Sequence, residues 1–208
     1  MRLANRLSSA TFRSVVASTL LASAAAASAN PILVNGSFES GTTGWSLTPP
    51  ASVRSDEQPS DGNYSLVFDY GDVVGGAASQ SFSTVAGQTY TLTFDYWAWF
   101  GATTHTLEVD VLGMTPLLGE TVTATGSGTG TRAISTFSES FTADSNSAVL
   151  SFVDRTSLAN GLSSDLDVDR VAVAAVPEPS TYALTLAAFG AAQFARRRRK
   201  PVMCTWPR

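Results

Sequence analysis

The sequence predicts an all-β protein built as an antiparallel β-sandwich, and three observations predict it. Short apolar–polar alternations recur through the body of the chain, each bounded by Gly, Asn, Asp or Ser turns. No segment between the two ends repeats apolar residues at helical spacing, so nothing is available to cover the crossovers of a parallel sheet. The only cysteine, Cys204, excludes an intramolecular disulfide and leaves an apolar core to hold the fold. Setting both ends aside leaves about 145 residues, enough for one domain with a real core.

In chain order, Pro31–Glu39 opens the body, with a turn at Asn35-Gly36 and a second through Ser40 to Gly44. Trp45-Ser46-Leu47 follows, with Trp45 expected in the core. After the turn Ser60-Asp61-Gly62-Asn63, Tyr64, Leu66, Phe68 and Tyr70 share one face of a strand. Ala78–Thr84 is a strand closed by the turn Val85-Ala86-Gly87-Gln88. The strongest strand is Thr89–Trp99: Tyr90, Leu92, Phe94 and Tyr96 point one way, Thr91, Thr93, Asp95, Trp97 and Trp99 the other. Thr106–Leu112 turns Leu107, Val109 and Val111 inward and Glu108 and Asp110 outward. Ala124–Thr131, small and Gly-rich, reads as a loop, and strands at Ile134–Phe141, Ala148–Val153 and Leu166–Val173 bring the total to about eight.

The motifs NGSFESGTTGWS, DGNYSL, AGQTYTLTFDY and DVDRVAV, spread over Asn30 to Val173, resemble those of the galactose-binding-like jelly rolls, the fold of many carbohydrate-binding modules. That resemblance implies a jelly-roll β-sandwich and a structural calcium joining the first and last strands, with Glu39 and Asp169 as ligands. Carbonyls near Ser37 or Gly41 would have to complete such a shell. A glutamate that only caps a turn is the other reading of Glu39. Asp165, Asp167 and Asp169 alternate and so share one strand face, with Arg170 expected on the other. This is not an EF-hand, because Arg170 stands where that loop needs glycine.

Both ends differ from the body. Met1–Ala29 reads as a secretory signal helix: basic residues, then Val15–Ala22, then Ala27-Ser28-Ala29 as the cleavage box, making Asn30 the mature N-terminus and signal peptidase a partner. At the other end, Val176-Pro177-Glu178-Pro179-Ser180-Thr181 is held extended by its prolines. An apolar run, Tyr182–Ala195, and the cations Arg196, Arg197, Arg198, Arg199 and Lys200 follow. As a helix the run spans about 20 Å, short of the roughly 30 Å hydrocarbon core, with its cations on the cytoplasmic side. Box, short apolar helix and arginine cluster, in that order, resemble the PEP-CTERM sorting segment of Gram-negative bacteria, also called the ice-binding-protein C-terminal domain. The resemblance implies an exosortase that recognises the box, transient anchoring in the inner membrane, and delivery to the cell surface or extracellular polysaccharide. Here Pro201–Arg208 extend beyond the family's usual end. The organisation is thus 1–29 signal, 30–175 sandwich, 176–200 sorting segment and 201–208 tail.

Charge narrows the partners. The net charge is −4, yet most of the 13 Lys and Arg residues sit at the ends. The body keeps Arg54, Arg132, Arg155 and Arg170 against nearly all of the 17 acids. A phosphate backbone needs clustered cations, so nucleic acid is not the partner expected; neutral glycans or calcium suit this surface. Trp97, Trp99 and Phe100 are the candidates for a sugar-stacking platform, with Asp95, Glu108 and Asp110 as polar neighbours; packing under the Gly101–Thr104 loop is the alternative for the tryptophans. His105 is the only histidine and is expected at the surface of a loop. No Gly-x-Ser-x-Gly elbow accompanies it, and no zinc spacing or phosphate loop is present.

The expected function is therefore that of an exported, non-catalytic surface or matrix protein associated with glycan. A small carbohydrate-active hydrolase on the same sandwich is the alternative. Ice binding would need a flat threonine face, of which Thr89, Thr91 and Thr93 offer one short row.

Overall fold

The computed structural model describes residues 32–70, 73–99, 101, 103–127, 132–157 and 165–177. The signal segment, the apolar run and the arginine cluster lie outside them. The strands are β1 (Ser46–Thr48), β2 (Ser52–Arg54), β3 (Ser65–Phe68), β4 (Ala77–Ser83), β5 (Thr89–Trp99), β6 (Thr104–Leu112), β7 (Pro116–Thr125), β8 (Ser135–Thr142), β9 (Ser147–Asp154) and β10 (Asp165–Ala175). They form two antiparallel five-stranded sheets, β1-β4-β9-β6-β7 and β2-β3-β10-β5-β8. The all-β antiparallel sandwich read from the alternation is the fold. Among the described residues no helix is long and apolar enough to cross a membrane.

The core is the meeting of two inner faces. Leu107, Val109, Val111, Leu150 and Phe152 face Leu66, Phe68, Leu92, Phe94, Leu166 and Val168. Phe94 stacks on Phe137 at 4.7 Å and meets Phe152 edge-on at 5.1 Å, which ties β5, β8 and β9 together through aromatic contact. Trp45 is buried against Phe38 and Phe152, and its indole N–H donates to the Asn35 carbonyl at 3.1 Å. Tyr64 and Tyr70, expected to share the inward face of Leu66 and Phe68, stand beyond the ends of β3 and are exposed.

Two strands escaped the sequence reading. Ser52–Arg54 is three residues long, too short to show alternation. Pro116–Thr125 is an edge strand with mostly exposed or half-buried side chains, so its apolar signal is weak. It also carries β7 to Thr125, into the segment assigned to a loop from Ala124.

The opening motif is seated on β10 by close backbone approach. Val171 N–H donates to the Gly36 carbonyl at 2.9 Å. A Cβ at Gly36 would lie 1.9 Å from the Val171 oxygen, so only glycine fits. Beneath it β10 is irregular: its register with β5 shifts between Asp169 and Ala172, and Arg170 has φ of +53°. Such a bulge re-aims a side chain. Arg170 accordingly reaches Asp95 on the outer face, at 3.2 Å, instead of pointing away from the carboxylates as strict alternation predicted.

Candidate functional site on the outer face of the second sheet

Burial on both sides of a strand shows where a sheet is covered. In β3 all four residues are buried, although only Leu66 and Phe68 belong to the core. The same holds for Trp97 in β5 and for Asp167 and Asp169 in β10. Antiparallel register sets these outer residues in rows: Val67, Asp167 and Trp97 in one, Asp165 and Trp99 beside it, Asp169, Asp95 and Thr136 on the other flank. Neighbours within a row are about 5 Å apart across the strands.

The central row holds a buried polar cluster. Asp167 is fully buried; its Oδ1 accepts a hydrogen bond from Ser65 Oγ at 2.9 Å, and its Oδ2 has no partner. Glu57, 5% exposed, leaves Oε2 without a partner, and Arg132 leaves Nη1. The Arg132 guanidinium lies 5.2 Å over the Trp97 ring, whose Nε1–H is also unpaired. Among the described residues these four are the buried side-chain polar atoms that lack a hydrogen bond. Burial raises the carboxyl of Asp167 well above the usual range. Burial, then the nearby charges of Asp165 and Asp56, push Glu57 up to about 7. Unsatisfied groups in such surroundings are costly, and native proteins keep few of them.

An open cleft of about 780 Å³ adjoins the cluster along β5. Thr93, Asp95, Thr136 and Arg170 belong to its sheet side; Asn35, Gly36, Ser37, Glu39 and Asp61 form the loop side. Asp95 accepts from Thr136 Oγ1 at 2.8 Å and pairs with Arg170, and it stands two residues from Trp97 on the same face.

Glu39 and Asp169 do converge, on the loop 60–64, but each does so as an acceptor. Glu39 Oε1 takes the N–H groups of Asn63 at 2.7 Å and Tyr64 at 2.8 Å, which holds its carboxyl below the usual range. Asp169 takes Asp61 N–H at 2.8 Å and Ser60 Oγ at 3.1 Å on Oδ2, and Arg170 N–H at 2.7 Å on Oδ1. Donors aimed at both carboxylates hold them on this loop, work that would otherwise fall to a cation. Among the described residues no group of three or more His, Cys, Asp or Glu side chains could hold a metal ion. Chelation with EDTA is expected to leave the thermal midpoint within about 1 °C; a fall of 5 °C or more, on the scale of 1 kcal/mol, would restore the calcium.

Three further residues stand differently from expectation. Trp97 and Trp99 share the face assigned to them, yet Trp97 is fully buried and Trp99 is 9% exposed, so neither forms an open platform. Arg132 lies over the Trp97 ring and covers that part of the face. His105 is in β6 and 2% exposed, not on a surface loop; its Nδ1 is 2.8 Å from Asp69 Oδ2. The threonine row is not free: the Thr89 and Thr91 hydroxyls bond those of Thr142 and Ser140. Glu57, Arg132, Asp69 and Asp154 gave no local signal, since each joins its site from a loop or strand end distant in sequence.

In fold, this two-sheet antiparallel sandwich is similar to carbohydrate-binding modules. A family 16 carbohydrate-binding module is similar at a TM-score of 0.52 and 16% identity, with 69% of this chain covering 99% of that one. TmCBM61, solved in complex with beta-1,4-galactotriose, is similar at 0.52 and 14%, with 71% of this chain covering 100% of it. An arabinose-bound α-L-arabinofuranosidase is similar at 0.50 and 14%, but only 26% of its chain is covered. At such identities the likeness is one of fold. No curated protein matches the sequence. Residues 175–200 match the PEP-CTERM protein-sorting motif, which marks an exported protein processed at the membrane and displayed at the cell surface.

Proposed function

We propose that this is a non-catalytic surface protein whose sandwich binds a neutral glycan, such as an extracellular polysaccharide, on the outer face of the second sheet. The observation that carries the proposal is the set of four unpaired buried atoms, two of them donors (Trp97 Nε1–H, Arg132 Nη1–H) and two carboxyl oxygens (Glu57 Oε2, Asp167 Oδ2). A cation would satisfy the oxygens and repel Arg132. An anion would satisfy the donors and oppose the carboxylates. Hydroxyl groups donate and accept, so a polyol that displaces the covering Arg132 and Glu57 side chains satisfies all four. Trp97 contributes its ring edge and N–H, and the adjoining cleft extends the site toward Asp95 and Arg170. On this reading signal peptidase and an exosortase process the two ends, with a transient stay in the inner membrane of a Gram-negative cell.

The test is retardation of the protein in gels containing neutral polysaccharides, together with a glycan array. Trp97→Phe keeps most of the ring and removes the N–H, so the affinity for a bound glycan is expected to fall about tenfold, and Arg132→Ala to lower it further. If no neutral glycan binds, the proposal fails. A hydrolase would instead release reducing ends, and activity lost in Glu57→Gln would replace binding by catalysis.

A further inference from the structure

The end of the sandwich from which the sorting segment departs differs from the rest of the surface. Val176 is the residue after β10, and its N–H donates to the Thr89 carbonyl at 2.9 Å while its carbonyl accepts from Gln88 Nε2 at 2.8 Å. Gln88 belongs to the β4–β5 turn, which bonds the β8–β9 turn through Gly87 N–H to the Ala143 carbonyl at 2.7 Å and Ala143 N–H to the Gln88 carbonyl at 3.0 Å. Thr84 adds bonds to the carbonyls of Asn146, at 3.1 Å, and Ser145, at 2.7 Å. Asp144 in turn accepts the N–H groups of Met114 at 2.9 Å and Thr115 at 2.8 Å in the β6–β7 turn. Three turns and the point of departure are thus stitched into one surface.

That surface carries exposed apolar side chains: Met114 at 81%, Val85 at 63%, Leu112 at 51% and Val176 at 37%. Its one charge within the three turns, Asp144, is held down by four hydrogen bonds, among them those from Met114 and Thr115. The opposite end also exposes Tyr70 and Val73, but there Arg54 covers the Tyr70 ring at 3.4 Å, and the exposed Arg155 and the half-buried Asp165 stand at the strand ends.

The chain that follows chooses the occupant. Six residue steps separate Val176 from Tyr182, the start of the apolar run inside the matched sorting motif, and at full extension they reach about 20 Å. With the run in a bilayer, this tether keeps the turns within about 20 Å of the run's start, at high effective concentration over the headgroups. We infer that the Val85, Leu112 and Met114 turns form a membrane-resting surface, on which the sandwich stands end-on over the lipid headgroups before the sorting segment is processed. This rests on the reading that the tail enters the membrane. Asp167 is nine residue steps up β10 from Val176 and Arg170 six, so the buried cluster of the proposed glycan site lies about 30 Å from the lipid and the Arg170 end of its cleft about 20 Å.

The test places a fluorophore at single cysteines in the full chain carrying Cys204→Ser: Met114→Cys on the surface, Val73→Cys at the far end and Ala188→Cys in the apolar run. Each is reconstituted into phosphatidylethanolamine–phosphatidylglycerol vesicles bearing a headgroup-proximal lipid quencher. Quenching at 114 and 188 but not at 73 is expected. Quenching at 188 alone overturns the resting surface and leaves the anchor standing; quenching at none overturns both. Equal quenching at 73 and 114 overturns the end-on orientation. Quenching at 114 only in native inner-membrane vesicles assigns the surface to a membrane protein and overturns the lipid. Val85→Asp/Met114→Asp is expected to lower quenching at a label on position 112 (Leu112→Cys) about tenfold while 188 stays quenched.

Discussion

The His105→Ala protein is expected to be about 3–5 kcal/mol less stable than the parent at pH 8, with a smaller loss at pH 5. His105 and Asp69 are each 2% exposed and bonded at 2.8 Å. Asp154, also buried, bonds Asp69 side chain to side chain, and Gly75 N–H serves both carboxylates. Asp69 follows β3 of one sheet, whereas His105 and Asp154 stand in β6 and β9 of the other, so the three groups pin the sheets together at one end. Removing the imidazole leaves two acids facing one another without their partner. Burial already raises Asp69 to about 6, so protonation below that pH relieves the repulsion. Denaturant unfolding at the two pH values measures both effects; a loss under 1 kcal/mol, or an equal loss at both, would show that the contact carries little.

Glu57→Gln is expected to raise stability at pH 8 by about 2–3 kcal/mol and to leave it unchanged at pH 4. The native carboxyl titrates at about 7, against an ordinary value of 4.5 when unfolded. Between those values the folded state binds more protons than the unfolded one, so this group's contribution is intact below about 4.5 and is lost as pH rises through 7. A shift of that size corresponds to roughly 3 kcal/mol at 1.36 kcal/mol per unit. Glutamine keeps the volume without the charge and flattens the profile. Thermal melts across pH 4 to 8 decide the matter, since a parent with no decline toward pH 8 would remove the cause. A stabilised but weaker glycan binder is the pattern expected of a residue kept for recognition.

Alternation along β5 placed Tyr90, Leu92 and Phe94 in the core and Trp97 and Asp95 on the opposite face without reference to any contact. It worked because side chains of a strand must alternate. It failed at Arg170, where a bulge breaks the period, and at β7, whose edge position leaves little apolar contrast. Glu39 and Asp169, expected to share calcium, both accept hydrogen bonds from the loop 60–64, and which donors meet them depends on that loop, folded from elsewhere in the chain.

What the sequence determined by itself is the antiparallel β class, the faces of its strands and the sorting segment at 175–200, all of which are local patterns read within a few residues. Only the tertiary structure decided that His105 is buried between sheets, that Trp97 lies covered beside Arg132 and Glu57, and that three turns meet around Val176. Those outcomes depend on which loop lands on which face, and long-range packing sets that, not local periodicity.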